Sequence, residues 1–154
     1  MASQPDIQQQ FEIQKIYLKD VSFEAPHSPS IFTEPWKPET SVQLSTEMSR
    51  LDEGQHEMVL GITVTAKMAD KTAYLVEIKQ AGIFAISGFA EPQMRQLLGS
   101  YCPNVLFPFA REAIAELINK GGFPPMLLAP INFDALYAQQ QRQRDTDSES
   151  SATH

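Results

Sequence analysis

Apolar and polar residues alternate along four segments in the first 90 residues of the chain. An alternation with a period of two is typical of a strand that buries one face. The segments are joined by short turns at Asp52-Glu53-Gly54 and Ala69-Asp70-Lys71 and by one proline-rich loop, Ala25–Pro38. The pattern therefore predicts four strands in an antiparallel sheet covered on one face: Phe11–Glu24, Ser41–Met48, Glu57–Lys67 and Thr72–Ile86.

The first strand has a less regular pattern than the others. Simple alternation places Phe11, Ile13, Lys15, Tyr17, Lys19, Val21 and Phe23 on one side and Ile16, Leu18, Asp20, Ser22 and Glu24 on the other. The mixed middle suggests a β-bulge near Lys15 or Ile16.

An acidic patch is predicted on the side of the sheet that faces away from the core. There the first strand presents Asp20, Ser22 and Glu24, and the last strand presents Leu75 and Glu77. If these two strands are near each other, their side chains form an acidic patch with one apolar spot. An ordinary solvated sheet face gives the same pattern, because outward positions are polar by default.

The chain after residue 90 has a helical pattern. Pro92 suits a first helical turn, and apolar residues follow at helical spacing until Gly121-Gly122. Pro103 and Pro108 are expected to kink or divide this helix. Asn132 is a suitable N-cap for a second, short helix. The apolar stripe comprises Met94, Leu97, Leu98, Tyr101, Val105, Phe109, Ala113, Ile114, Leu117 and Ile118.

The sequence thus predicts an α+β domain with two helices packed on one face of the sheet. Leu106 and Phe107 fall off the stripe. A second apolar side on the helix favours oligomerisation through it, while a core role alone explains the stripe itself.

The overall composition is that of one globular domain. The chain has 154 residues, of which 42% are hydrophobic and 20% charged. The polar ends, residues 1–10 and 139–154, are expected to be mobile, and the domain is expected to span residues 11–138. The second of these ends is acidic.

The charge balance excludes several classes of partner. Twelve Lys and Arg stand against nineteen Asp and Glu, which gives a net charge of -7 with no basic run. Nucleic acid and anionic membranes are therefore not expected as partners. The sequence shows no signal peptide and no apolar run of the ~20 residues that a bilayer helix needs. We expect a cytosolic protein without membrane insertion, and the single Cys102 agrees with a reducing compartment.

No constellation of catalytic or metal-binding residues is apparent. There is no phosphate-loop motif, and His27, His56 and His154 lack metal-ligand spacing. Cys102 precedes a proline and has no adjacent base, which favours a buried structural thiol over a nucleophile. Glu112 and Glu116 are one helical turn apart, which is compatible with a paired-carboxylate site but equally with a solvated or interface face of the helix. We therefore predict no cofactor, no metal and no enzymatic activity.

A proline-stiffened apolar loop, Gly121–Pro130, is the most unusual stretch of the chain. Exposed loops are normally polar, so this one should either cap the core or receive apolar segments of another molecule. In the second case, a groove between loop and sheet would accept extended apolar peptide. The residues expected to line it are Trp36, Phe123, Met126, Leu127, Leu128 and Tyr137.

Three segments, in order along the chain, resemble the bacterial protein-export chaperone family SecB. They are IYLKDVSFEAP at Ile16–Pro26, YCPNVLFPFARE at Tyr101–Glu112 and LAPINFDALY at Leu128–Tyr137. The resemblance implies an ATP-independent cytosolic chaperone that holds precursor proteins unfolded and passes them to the motor SecA. It also implies a homotetramer, built as a dimer of dimers, whose long helices are sandwiched between sheets.

The resemblance also implies roles for individual residues. The motor-binding surface of the family corresponds to Asp20, Glu24, Leu75 and Glu77, the charged and apolar members of the predicted patch. Its client groove involves the Gly121–Pro130 loop with Trp36 nearby. Together with the helical stripe, the resemblance implies an oligomer interface that includes Val76, Ile78, Gln80, Leu97, Tyr101 and Phe109.

Two other functions are compatible with the sequence. One is a SecB-like chaperone dedicated to a single client, such as an antitoxin. The other is a ligand-binding or enzymatic domain that uses an apolar pocket around Trp36 and Phe123, although the polar groups that such a site needs are missing.

Overall fold

The structure, a computed structural model, describes residues 8–152. As predicted, its four strands form one antiparallel sheet, and the structure gives their order as β1-β4-β3-β2. β1 and β2 are the two edges, and the hairpin of β3 and β4 forms the centre. The strands are β1 (Gln10–Glu24), β2 (Glu39–Asp52), β3 (Gln55–Met68) and β4 (Lys71–Ser87).

The two faces of the sheet differ because side chains alternate along each strand. On the helix-covered face, the central strands contribute a continuous buried layer. Each of these residues is at most 1% exposed: Met58, Leu60, Ile62, Val64 and Ala66 on β3, and Tyr74, Val76, Ile78, Phe84 and Ile86 on β4. The predicted division of these two strands into faces is therefore confirmed.

The predicted long helix is one helical path with an interruption. It comprises α1 (Glu91–Gln96), a π-helical turn (Leu97–Tyr101) and α2 (Cys102–Lys120), and the backbone stays right-handed helical at the two junctions. The interruption precedes Pro103, which lies in the first turn of α2, and Pro108 lies inside α2.

The side of this helix that faces the sheet is shifted by one residue from the predicted stripe. The buried row recurs at every fourth position: Leu98, Cys102, Leu106, Ala110, Ile114 and Ile118. Leu106 and Phe107 lie in the core, so their predicted place on a second apolar side is wrong. The reason is the π-helical turn, whose wider spacing changes the helical phase. Tyr101 and Phe109 are instead 49% and 46% exposed.

The last helix, α3 (Phe133–Ala152), begins as the sequence predicts. Asn132 Oδ1 accepts a hydrogen bond of 3.0 Å from the backbone N–H of Ala135, which confirms the N-cap. The helix docks on the π-helical turn, where a Cβ added at Gly99 would be 2.4 Å from the ring of Tyr137. Residues 139–152, expected to be mobile, continue α3, and residues 1–7 lie outside the described part.

β1 contains two irregularities that set which way its side chains point. Its pairing with β4 shifts between Ile13 and Lys15 and again between Leu18 and Asp20. As a result, Ile16 and Leu18 lie on the helix-covered face, while Tyr17 lies on the open face. The bulge predicted near Lys15 or Ile16 is confirmed. Simple alternation is nevertheless wrong between the two bulges, where each side chain lies on the opposite side to the one it predicts: Lys15, Ile16, Tyr17 and Leu18.

A small polar cluster surrounds the second bulge. The Tyr17 hydroxyl donates to a carboxylate oxygen of Glu57, and Lys19 Nζ donates to the other oxygen at 2.9 Å. From the opposite face, Gln80 Nε2 donates to the backbone carbonyl of Tyr17 at 3.0 Å. We call Tyr17, Lys19, Glu57 and Gln80 the bulge cluster.

The bulge cluster changes the acidity of two of its members. The hydrogen bond from Tyr17, followed by that from Lys19, lowers the pKa of Glu57. Burial, followed by the hydrogen bond to Glu57, raises the pKa of Tyr17 to about 12. At neutral pH the cluster therefore holds a carboxylate and a protonated phenol.

The lowered pKa of Glu57 predicts a pH-dependent contribution to stability. Since the carboxylate is favoured in the folded state, its contribution is present above the ordinary glutamate pKa. It is lost as the pH falls through the lowered folded-state pKa. We expect Glu57→Gln to reduce the free energy of unfolding at pH 7 by about 1 kcal/mol. This difference should shrink towards zero in acid, as measured by denaturant titration at fixed protein concentration.

Glu47→Gln is the matched control, since Glu47 lies exposed on the same face and forms no ion pair with the described residues. A Glu57→Gln deficit that stays constant down to pH 3 would contradict the prediction.

Candidate functional site

The predicted acidic patch exists on the open face of the sheet. In the register of β1 and β4, Ser22 pairs with Glu77 and Glu24 pairs with Leu75. Asp20 pairs with Lys79, one step further along the same face. Cross-strand partners point to the same side of a sheet, so these side chains are neighbours. We define the acidic face as Asp20, Ser22, Glu24, Leu75 and Glu77.

The carboxylates of the acidic face are available to a partner. Asp20, Glu24 and Glu77 are exposed, and none of them forms an ion pair within residues 8–152. Leu75 is half-buried between them. Three acidic groups around one apolar side chain form a surface that complements a basic partner with an apolar contact.

Next to the acidic face, the open side of the sheet carries neutral side chains on β3 and β2. Thr63 and Thr65 of β3 pair with Glu77 and Leu75, and Gln43 and Ser41 of β2 follow them. These neutral hydrogen-bonding side chains extend the acidic face without adding charge. At this level of the sheet the negative charge therefore lies on β1 and β4, and the exposed Glu47 of β2 lies further along the same face.

The predicted groove residues Trp36 and Phe123 lie together in an aromatic cluster at one end of the sheet. The ring centroids of Trp36 and Phe123 are 5.6 Å apart, and those of Tyr74 and Phe123 are 5.0 Å apart. Phe32 adds a further contact to Phe123 at 5.1 Å. Met126 closes the cluster, because its Sδ accepts a hydrogen bond of 3.5 Å from the Tyr74 hydroxyl. Sequence analysis missed Phe32 and Tyr74 as members.

The loop between α2 and α3 fits tightly against this cluster. A Cβ at Gly121 would be 2.3 Å from the ring of Phe23, and Gly122 has a φ of +86°. Such a φ favours glycine strongly, so Gly121-Gly122 both end α2 and permit the close approach of the loop.

The predicted groove residues do not form a single surface. Trp36 and Met126 are half-buried and Phe123 is buried, all three within the cluster. Leu128 is buried in the core, whereas Leu127 is 72% exposed. Tyr137 packs separately, against Gly99. The loop therefore caps the core through Phe123 and Leu128, which agrees with the first of the two interpretations of the sequence. Leu127 remains exposed to solvent.

A cleft that sequence analysis missed lies beside the π-helical turn. Its volume is about 440 Å³, and it combines aromatic rings with five side-chain amides. The amides follow no periodic pattern that would have identified them in the sequence. The cleft is lined by Gln9, Phe89, Gln93, Gln96, Leu97, Ser100, Tyr101, Asn104, Ile131, Asn132, Phe133 and Asp134.

The residues predicted at an oligomer interface fall into two groups. Val76, Ile78 and Gln80 are buried within the chain itself, so they would support an interface rather than contact a partner directly. Tyr101 and Phe109 are exposed on the helix, and Leu97 is half-buried at the cleft.

The described residues hold no group of side chains suited to metal binding. Cys102 is buried, as predicted, and burial raises the pKa of its thiol to about 12. It is therefore protonated at neutral pH and a poor nucleophile. In residues 8–152 there is no helix with the length and hydropathy of a transmembrane span.

Comparisons with known proteins identify the family of the chain. Residues 4–144 match the family model of the preprotein translocase subunit SecB. Among similar proteins, the protein-export protein SecB of Nitrosococcus oceani is 60% identical over 96% of this chain and 91% of its own. The SecB protein of Methylococcus capsulatus is 58% identical over 96% of this chain and 95% of its own. The SecB protein of Marinobacter nauticus is 52% identical over 92% of this chain and 86% of its own.

A solved structure shows the same fold at low sequence similarity. A SecB-like chaperone of Mycobacterium tuberculosis, in complex with a peptide from the HigA1 antitoxin, superposes with a TM-score of 0.65. It is 12% identical, and the match covers 79% of this chain and 90% of the other. The family match over most of the chain, the identities of 52–60% and the sheet-and-helix fold lead to one conclusion. The chain belongs to the SecB family of protein-export chaperones, which are not enzymes.

Proposed function

We propose that this protein keeps unfolded secretory precursors competent for translocation in the cytoplasm and delivers them to the SecA motor. It does so as a homotetramer and without ATP. The observation that carries the proposal is the separation of two surfaces. The acidic face lies on the open side of the sheet, and the exposed apolar groups lie on the helix side and at the aromatic cluster.

Precursor binding rests on dispersed apolar contacts. Leu127 and the half-buried Trp36 and Met126 offer apolar surface at the aromatic cluster. The cleft beside the π-helical turn adds amides that can hydrogen-bond to any extended backbone. Many weak contacts of this kind favour unfolded chains, because folded proteins bury the same groups.

Motor binding rests on the acidic face. Its carboxylates are exposed, and Leu75 provides an apolar contact among them. Charged surfaces of this kind accelerate encounter with a basic partner and fix its orientation. A chaperone that hands its precursor to a motor at this face needs no nucleotide hydrolysis of its own.

Assembly rests on apolar residues that one chain leaves uncovered on the helix side of the sheet. The following residues are each at least 36% exposed: Leu18 and Val21 of β1, Val42, Leu44 and Met48 of β2, and Tyr101 and Phe109 of the helix. A single copy cannot bury these residues, since its helix covers only the central strands. A second layer that sandwiches the helices would cover them.

The direct test of the proposal is a refolding assay without nucleotide. We expect the purified protein to delay the refolding of several denatured precursors and to leave the same proteins unaffected once folded. Recovery of precursor fluorescence reports the rate. No delay for any precursor would contradict the proposal, and delay of a single precursor would indicate a dedicated client.

Charge reversal on the acidic face should separate motor binding from precursor binding. We expect Asp20→Lys or Glu77→Lys to weaken SecA binding by roughly tenfold, about 1.4 kcal/mol, by removing charge complementarity. The delay of precursor refolding should be unchanged. Calorimetric titration with SecA measures the first quantity. Glu47→Lys, on β2 of the same face, is the matched control, and equal loss of both activities would contradict the assignment.

Assembly should depend on the exposed side of α2. We expect Phe109→Glu to lower the mass measured by light scattering from that of a tetramer, because a charge would be desolvated in the interface. The fold should persist, since Phe109 is 46% exposed in one chain. Glu112→Gln, also exposed on α2, is the control. An unchanged tetramer mass for Phe109→Glu would exclude this surface from the interface.

A further inference from the structure

The second bulge of β1 decides on which face the acidic residues of that strand lie. Leu18 pairs with Gln80 and Asp20 pairs with Lys79, so two steps along β1 correspond to one step along β4. In a regular strand, Leu18 and Asp20 would point to the same side. Because of the bulge, Leu18 lies on the helix side and Asp20 on the open side. Glu24 follows Asp20 onto the open face by ordinary alternation.

The bulge is held from both faces of the sheet. On the open face, Lys19 at the bulge reaches Glu57 of β3, across the whole width of β4, at 2.9 Å. Glu57 is only 12% exposed and also accepts the Tyr17 hydroxyl. On the helix face, Gln80 is 4% exposed, and its amide binds the Tyr17 carbonyl. In the described part of the chain, one further side-chain hydrogen bond joins β1 to a central strand, from Gln55 to Gln14 at 3.1 Å, and it lies at the first bulge.

A bulge also allows an alternative pairing of the two strands, in which the extra residue lies at a neighbouring position. If the extra residue moves towards Glu24, the side chains between its old and new positions turn to the other face, so the faces of residues 20–24 depend on local contacts at the bulge. Hydrophobic burial opposes such a shift, since Val21 and Phe23 would move away from the helix side. Val21 is nevertheless 43% exposed on the edge strand, so burial alone specifies the register weakly there.

We propose that Lys19, Glu57 and Gln80 are positioning residues for the motor, which hold the β1 bulge so that Asp20 and Glu24 stand beside Glu77 and Leu75. This inference rests on the proposed motor binding for its functional consequence, but its structural part concerns this chain alone. The sequence predicts Gln80 at an oligomer interface. In this proposal its role is to hold the β1 bulge, which positions the acidic residues on the opposite face of the sheet.

Two variants test the proposal, and charge effects alone cannot explain the result expected for either. Gln80→Met keeps the side-chain volume and the net charge, and its position is buried on the face away from the motor. Lys19→Met makes the open face more negative, which by charge alone would strengthen binding to a basic partner. We expect each variant to bind SecA roughly fivefold more weakly than the parent protein.

Lys15→Met serves as the matched control. It removes the same charge from the same strand and face, at a residue that forms no ion pair within residues 8–152. It should bind SecA within about twofold of the parent protein. If Lys15→Met instead loses as much affinity as Lys19→Met, the loss reflects the charge of the strand and not the contact at the bulge, and the proposal is overturned.

Amide hydrogen exchange on the full-length protein alone gives a readout that does not depend on the motor. We expect faster exchange in residues 18–24 of Gln80→Met and Lys19→Met, and parent-like exchange in Lys15→Met. Unchanged exchange in both test variants overturns the proposal, and so does unchanged affinity for SecA. If the parent protein itself fails to bind SecA, the proposed function fails, while the exchange data still decide whether these residues hold the bulge.

Discussion

Burial of the helix-side face of β3 and β4 under α2 is the interaction on which the rest of the structure depends. Apolar side chains from both central strands meet one row of the helix that recurs at every fourth residue. Removing such an area from water supplies the main driving force for folding, at roughly 25 cal/mol per Å² of apolar surface. The core is thus concentrated in the middle of the sheet, and the two edge strands are left with apolar residues on the same side.

This distribution accounts for the two types of surface. The open face can remain polar and charged, because the core needs only one side of the sheet. The helix side retains exposed apolar residues at both edges, which are suited to assembly and to unfolded chains. The same antiparallel sheet therefore provides a basis for charge-based recognition on one side and for non-specific apolar binding on the other.

Most of the fold could be predicted from local patterns. The alternation in β3 and β4, the glycine pair after α2 and the Asn132 cap each depend on neighbouring residues, and each was correct. The acidic face was also predicted on the correct side of the sheet. Simple alternation succeeds for Ser22 and Glu24 because the second bulge of β1 restores the phase that the first one changes, and β1 lies next to β4, as the prediction required.

The errors arose where one extra residue changes the phase of an element. The π-helical turn moves Leu106 and Phe107 into the core, and the sides of Tyr17 and Leu18 are exchanged because they lie between the two bulges of β1. Such insertions are stabilised by contacts distant in sequence, such as that of Gln80 with Tyr17, so a local pattern does not reveal them. The groove prediction failed in part for a similar reason, since Phe32 and Tyr74 join the aromatic cluster only through the tertiary fold.

If precursor and motor bind to different faces of this protein, as we propose, both can be bound at the same time. Sedimentation velocity on the protein loaded with a fluorescently labelled unfolded precursor, with SecA added and no ATP present, tests it most directly. We expect one complex that contains all three components. Mutual exclusion, in which SecA and the labelled precursor never sediment with the chaperone together, would contradict it.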